Sequence, residues 1–340
     1  MSAAHRQRTD APSAGPSTDP SADPPVDPSV GRIDTHCHVV PPAYRDWLEH
    51  QPGYPGPFIE WSRQAAVEFF ERNRIAAGIL SISTPGARLP GSDDRRGARR
   101  VARMVNEFCA ETVRSAPTSF GFFGTLTLPD IDAAIAEASY CLDELDADGI
   151  VLLTNTDGVY VGSPQFDPLL EFLNDRAAVV FIHPTGPASP PALPGVSPGV
   201  IEFLHDSVRA AVNLARNSCP QRFPEVKFLL SHGGGYLPYA ATRIALMAFP
   251  GIPLDDALAR LRGLSFDTAL TGPDALTSLL AFADPAHITF GTDWPYAKSE
   301  QAAFFTDGLD AHPLTTDQIQ AINRGNAEAL FPRLAPHQPA

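Results

Sequence analysis

The sequence predicts a (β/α)8 barrel, and three observations carry that expectation. Eight short runs rich in β-branched or aromatic residues recur along the chain, and longer stretches of helical period separate them. The alternation fills roughly 300 residues behind a proline-rich N-terminus, which is the arithmetic of a single large barrel.

Residues 1–30 repeat Asp-Pro and Ser-Pro steps and hold hardly an aliphatic side chain larger than Ala. Such a segment cannot bury enough apolar area to offset its ordering entropy, so a disordered tail is expected there and one folded domain over 31–335. The strand candidates follow in order: 33–39, 76–83, 120–126, 149–153, 178–183, 226–231, 264–268 and 288–291. Between them Ile131, Ala134, Ile135, Ala138, Leu142 and Leu145 recur at three- and four-residue spacing, as do Phe166, Leu169, Leu170 and Leu173. Both series describe amphipathic helices. Ser163 followed by Pro164 reads as the N-cap and first-turn pair of the second. Two stretches are too long for simple connections. Residues 40–61, rich in Pro, Gly and aromatics, are expected to form a small insertion over the barrel mouth after strand one. Residues 184–200 form a second long loop after strand five.

Composition narrows the function. A formal net charge of -14 argues against nucleic acid and against an anionic membrane surface. No apolar run reaches the length of a membrane span, and the N-terminus lacks the apolar core of a signal peptide, so a cytoplasmic protein is expected. Cys37, Cys109, Cys141 and Cys219 are scattered without a Cys-X-X-Cys pair and read as reduced thiols.

Barrel enzymes keep their chemistry at the C-terminal ends of the strands. His36 and His38, two residues apart in strand one, share a face and make a ready pair of metal ligands. Strand five ends on His183, strand six runs into His232, and strand eight leads to Thr292-Asp293. Four histidines and an aspartate on one rim describe a mononuclear metal site with a spare base.

The blocks Ile33-Asp34-Thr35-His36-Cys37-His38, Phe181-Ile182-His183-Pro184, Leu230-Ser231-His232-Gly233-Gly234 and Gly291-Thr292-Asp293-Trp294-Pro295 resemble the signatures of the amidohydrolase superfamily. The similarity is to its amidohydrolase-2 group, which contains aminocarboxymuconate-semialdehyde decarboxylase and enzymes of salicylate-type acids. The resemblance implies that His36, His38, His183 and Asp293 are metal ligands and His232 the general acid or base. It also implies that Arg243, eleven residues after His232, holds a substrate carboxylate in a neighbouring subunit, a task suited to a guanidinium fork. Residues 149–155 with 158–160, and residues 181–185, look most similar to 6-methylsalicylate decarboxylase-type members.

Binuclear relatives bridge their metals with a carboxylated lysine from strand four. Here the only lysines are Lys227 and Lys298, and strand four ends Leu152-Leu153-Thr154-Asn155. One divalent metal is therefore expected, zinc first and manganese second.

Two other motifs lead elsewhere. Gly195-Val196-Ser197-Pro198-Gly199 matches a nucleophile elbow and His232-Gly233-Gly234-Gly235 an esterase glycine loop. Their order is wrong for that fold, and Pro198 has no N–H to offer an oxyanion. Arg95, Arg96, Arg99, Arg100 and Arg103 are spread around a helix and read as a solvated face.

The expected function is metal-dependent, non-oxidative decarboxylation of a salicylate-type aromatic acid such as 6-methylsalicylate, with Asp293 or His232 as proton donor. The alternative is hydrolysis of a lactone or amide at the same site, and a barrel without catalysis is a third reading. A homodimer or higher homo-oligomer is expected, because Arg243 serves this scheme only from a second chain.

Overall fold

The computed structural model describes residues 31–52, 54–186 and 193–335; the expected tail, residues 1–30, lies outside them. Eight parallel strands follow one another around a barrel: Arg32–His38, Ile75–Ser81, Phe120–Thr125, Gly149–Leu153, Val179–His183, Lys227–Leu230, Ser265–Asp267 and Ile288–Thr289. Each coincides with a run expected from the sequence. Backbone bonds join the last strand to the first: the Thr35 N–H donates to the Phe290 carbonyl at 2.9 Å and the His38 N–H to the Trp294 carbonyl at 2.7 Å. The Asp293 N–H donates to the His36 carbonyl at 2.8 Å, so barrel closure itself brings Asp293 beside His36.

Alternation of side chains divides the core in two. Ile33, Ile79, Phe123, Val151, Phe181 and Leu229 fill the barrel interior together with Ala327, Phe331 and Leu334 from the C-terminal segment. Arg333 fixes this plug at the N-terminal mouth, donating to the Phe120 carbonyl at 2.8 Å and to the Asp148 carboxylate at 2.6 and 2.7 Å. Residues of the other register, such as Leu80, Phe122, Leu152 and Ile182, are buried beneath the helices. Cys37 joins them, with its sulfur 3.5 Å from the Ile79 carbonyl, as its position between two inward histidines requires.

The helices start where their sequences supply caps. Asp94 accepts from the Gly97 N–H at 2.8 Å at the head of Arg95–Ser115, and Asp130 from the Ala133 N–H at 3.3 Å at the head of Ile131–Ser139. The cap expected at Ser163 is corrected. The turn it precedes, Pro164–Phe166, is 3-10 and leads into helix Asp167–Asn174, and Ser163 makes no cap bond. Its Oγ instead accepts from Asn213 Nδ2 at 3.2 Å, so packing against helix Glu202–Arg216 claims the hydroxyl.

Residues 40–61 contain helix Pro42–Glu49, and the buried Tyr44 hydroxyl donates to the Gly86 carbonyl at 2.7 Å, bracing this insertion against the loop after strand two. Of the second long loop, residues 187–192 lie outside the described set. The arginine cluster is a helix face with two anchors: Arg99 pairs with Asp130 at 2.8 Å, and Arg103 pairs with Glu137 at 2.8 Å. Among the described residues no helix is long and apolar enough to cross a membrane.

Candidate metal centre

Strand one delivers His36 and His38 to the C-terminal mouth, and the sequence around them orients both rings. His36 Nδ1 lies 2.8 Å from Asp267 Oδ2, and His38 Nδ1 lies 3.1 Å from both the carbonyl and the hydroxyl of Ser81. His183, the last residue of strand five, sets its Nδ1 2.8 Å from the Pro184 carbonyl. With acceptors at every Nδ1, each ring carries its proton there and turns the lone pair of Nε2 inward. The three side chains are essentially shut off from solvent.

Asp293 completes the cluster. Its Oδ1 lies 3.0 Å from His38 Nε2 and 3.4 Å from His36 Nε2, and one ligand atom from each of His36, His38, His183 and Asp293 falls within 4.8 Å of all the others. The Nε2 atoms of His36 and His38 are 3.2 Å apart. Two lone pairs facing at that distance repel unless a cation shares them, so the donor set fits one divalent ion. Three imidazoles and one carboxylate suit zinc or another borderline metal.

Electrostatics follow the same geometry. Burial works against a charge on His36, and the Asp267 carboxylate overrides it, pushing the ring up to about 10 before any cation competes for Nε2. His38 is lowered by burial, and His183 is driven well down by burial and by the His38 and His36 rings. Burial would raise Asp293, but contacts with His232, His36 and His38 hold its carboxyl well below the usual carboxylate range.

His232 begins the turn after strand six, its N–H donating to Asp267 Oδ1 at 2.9 Å. Its Nε2 lies 3.3 Å from Asp293 Oδ2, and its buried Nδ1 has no partner among the described residues. Both His232 (φ 53°) and Asp293 (φ 63°) hold left-handed backbone conformations that cost non-glycine residues energy. Asp34 supports one of them: Oδ1 accepts from the His36 and Thr292 N–H groups at 3.0 and 3.2 Å, and Oδ2 from the Thr292 hydroxyl at 2.5 Å. Gly291 leaves room for the ligands, since a Cβ there would stand 2.9 Å from the His36 Cβ. Phe181 packs edge-on to His36 at 4.9 Å and forms an apolar floor.

Comparison with known proteins decides the lineage. A family model described as amidohydrolase matches residues 33–333. The chain belongs to the amidohydrolase family. Within it, the chain is 36% identical to the decarboxylase yanB of Aspergillus niger, over 89% of this chain and 88% of the relative. It is 35% identical to 6-methylsalicylic acid decarboxylase of Penicillium expansum, over 90% of this chain and 97% of that enzyme. Among solved structures, an amidohydrolase II superposes with a TM-score of 0.82 at 28% identity, covering 89% of this chain and all of the other.

The amidohydrolase centre thus gathers five residues that sequence reasoning named. Arg243 is not among them. It lies exposed on helix Leu237–Ala248, in an outer groove with Arg209 and Arg216, and makes no hydrogen bond or ion pair with the described residues. Ser197 of the decoy motif is exposed in a loop. Thr154 and Asn155, where binuclear members carry lysine, instead bond the buried Asp206 carboxylate. Sequence reasoning missed Asp267, which touches both His36 and His232; its one signal was an acid at the inward end of strand seven.

Proposed function

We propose that this amidohydrolase is a metal-dependent, non-oxidative carboxy-lyase of a salicylate-type aromatic acid, with 6-methylsalicylate as the leading substrate. The observation that carries this reading is His232. It is a buried imidazole at the edge of the four-ligand cluster, with one nitrogen 3.3 Å from Asp293 and the other without a partner among the described residues. That is the arrangement of a proton carrier beside a metal. The named activities of the Aspergillus and Penicillium relatives support it.

His36, His38, His183 and Asp293 would hold the ion, for which we favour zinc. When bound, the metal would supply Lewis acidity and a fixed orientation for the carboxylate and ortho-hydroxyl of the acid. The chain's own residues manage the proton. Asp293, kept ionised, orients His232, and His232 gives a proton to the ring carbon bearing the carboxylate. The electron pair of the breaking C–C bond becomes the new C–H bond, and carbon dioxide leaves. Phe181 and the closed barrel interior keep water from the floor of the site.

Arg243 would bind the substrate carboxylate across a homodimer interface. Exposed Tyr239, Leu246 and Met247 on the same helix, at 86%, 63% and 75% of their full accessibility, give that face apolar area for a second copy to cover. Residues 31–335 would form one catalytic domain, and four buried free thiols suit the reducing cytoplasm. Incubating zinc- or manganese-loaded protein with 6-methylsalicylate and following carbon dioxide and ring absorbance tests the activity. Lactone or amide hydrolysis without carbon dioxide release would replace it with a hydrolase.

A further inference from the structure

Beside the metal centre, the ends of strands two to five enclose a cavity of about 210 Å³. None of the four ligands lines it, yet three of its walls adjoin them. Leu153 is paired in register with His183, Thr185 follows His183 by two residues, and Ile82 follows Ser81, which fixes the His38 ring. Most of the lining is apolar, including Leu126, Val151 and Leu152.

Two residues of this lining each carry a buried polar atom with no partner among the described residues, Nε of Arg88 and Oγ1 of Thr125. The Arg88 side chain is 9% exposed and Thr125 4%. Arg88 cannot turn away to find a partner, because its other nitrogens are committed. Nη1 donates to the Leu89 and Ser92 carbonyls at 3.1 and 2.6 Å, and Nη2 to Asp157 Oδ2 at 2.6 Å. The Asp157 carboxylate also answers the charge of the guanidinium, so what remains is a neutral hydrogen-bonding demand. Asn155, in the same lining, has its amide nitrogen engaged with Gly186 and Asp206 and its oxygen with the Gly158 N–H. Leaving two buried donors unmet costs about 1–3 kcal/mol each.

We infer that the cavity receives a ring substituent of the acid held at the metal centre: an apolar chain bearing one neutral oxygen acceptor, such as a ketone, read by the Arg88 Nε–H and the Thr125 hydroxyl. The inference rests on the decarboxylase reading and extends it to substrates larger than 6-methylsalicylate. A methyl group does not fill such a space, since a cavity of about 150 Å³ already accepts benzene. A substituent of roughly three to six non-hydrogen atoms does.

The test uses metal-loaded full-length protein and matched acids: 2-hydroxy-6-propylbenzoic acid against 2-hydroxy-6-(2-oxopropyl)benzoic acid, and the corresponding pair substituted at ring position 4. In one of the two pairs the oxo compound is expected to exceed its alkyl partner about tenfold in kcat/KM and, by calorimetry, in affinity. Thr125→Val, which keeps the shape and removes the hydroxyl, should cut that preference severalfold, and adding Arg88→Met should erase it. Equal values for oxo and alkyl partners in both pairs overturn the inference, as does a preference unmoved by both substitutions. If no acid releases carbon dioxide while the oxo compound still binds more tightly, the decarboxylase reading fails and the pocket stands.

Discussion

Oδ2 of Asp267 lies 2.8 Å from Nδ1 of His36, with both side chains wholly buried, and through this contact a residue outside the ligand set decides which nitrogen of His36 faces the centre. Asp267→Asn keeps the shape but can present an N–H where an acceptor is needed, freeing the ring to take the wrong tautomer. Metal affinity should fall about 10–100-fold, read by competition with a chromophoric chelator. Unchanged affinity would reduce Asp267 to a folding element.

In the proposed mechanism His232 carries the proton without holding the metal. His232→Asn should lower kcat by roughly 10²–10⁴ while the purified protein keeps a full equivalent of metal. Loss of the metal along with activity would make His232 a ligand instead.

Stripping the metal should make stability steeper in pH. His36, raised from 6.5 to about 10 by Asp267 against the pull of burial, binds its proton more tightly folded than unfolded. That contribution is complete below pH 6.5 and is lost as pH rises through 10. A metal on Nε2 keeps the ring neutral throughout. Chelator-treated protein should therefore lose Tm between pH 7 and pH 10 faster than reloaded protein. Parallel curves would remove the His36–Asp267 pair as the cause.

Asn106 ties a helix to the sheet. It is fully buried, donates to the Thr125 carbonyl and Glu137 Oε1 at 2.9 and 2.8 Å, and accepts from the Thr125 N–H at 2.8 Å. Asn106→Ala orphans these groups and should cost about 3 kcal/mol in urea unfolding. A change below 1 kcal/mol would mean that water replaces the amide.

Arg243→Met should cost roughly 2 kcal/mol in kcat/KM, about 30-fold, if its guanidinium meets a substrate carboxylate in a partner's site. Sedimentation of the wild type should then give a dimer or larger. A fully active monomer would return Arg243 to the solvent.

The barrel was legible in the sequence because its periodicities are local. Every strand run was apolar enough to stand out, and His36, His38, His183, His232 and Asp293 fell at strand ends once those runs were placed. What escaped depends on residues meeting from distant positions. Asp267 looks ordinary until closure sets it against His36, and Arg88 and Thr125 look satisfied until their packing is known. Ser163 had the right residue type for a cap, but Asn213 from a later helix claims its hydroxyl.

The bonds that close the barrel, from His38 to Trp294 and from Asp293 to His36, join segments far apart in the sequence. During synthesis, a ribosome that has not yet released Asp293 carries a chain with three of the four donors and an open seam between its first and last strands. On the proposed reading, tight capture of an ion would wait for the last strand, and a bound metal would mark finished molecules and be absent from chains stalled or truncated before that point.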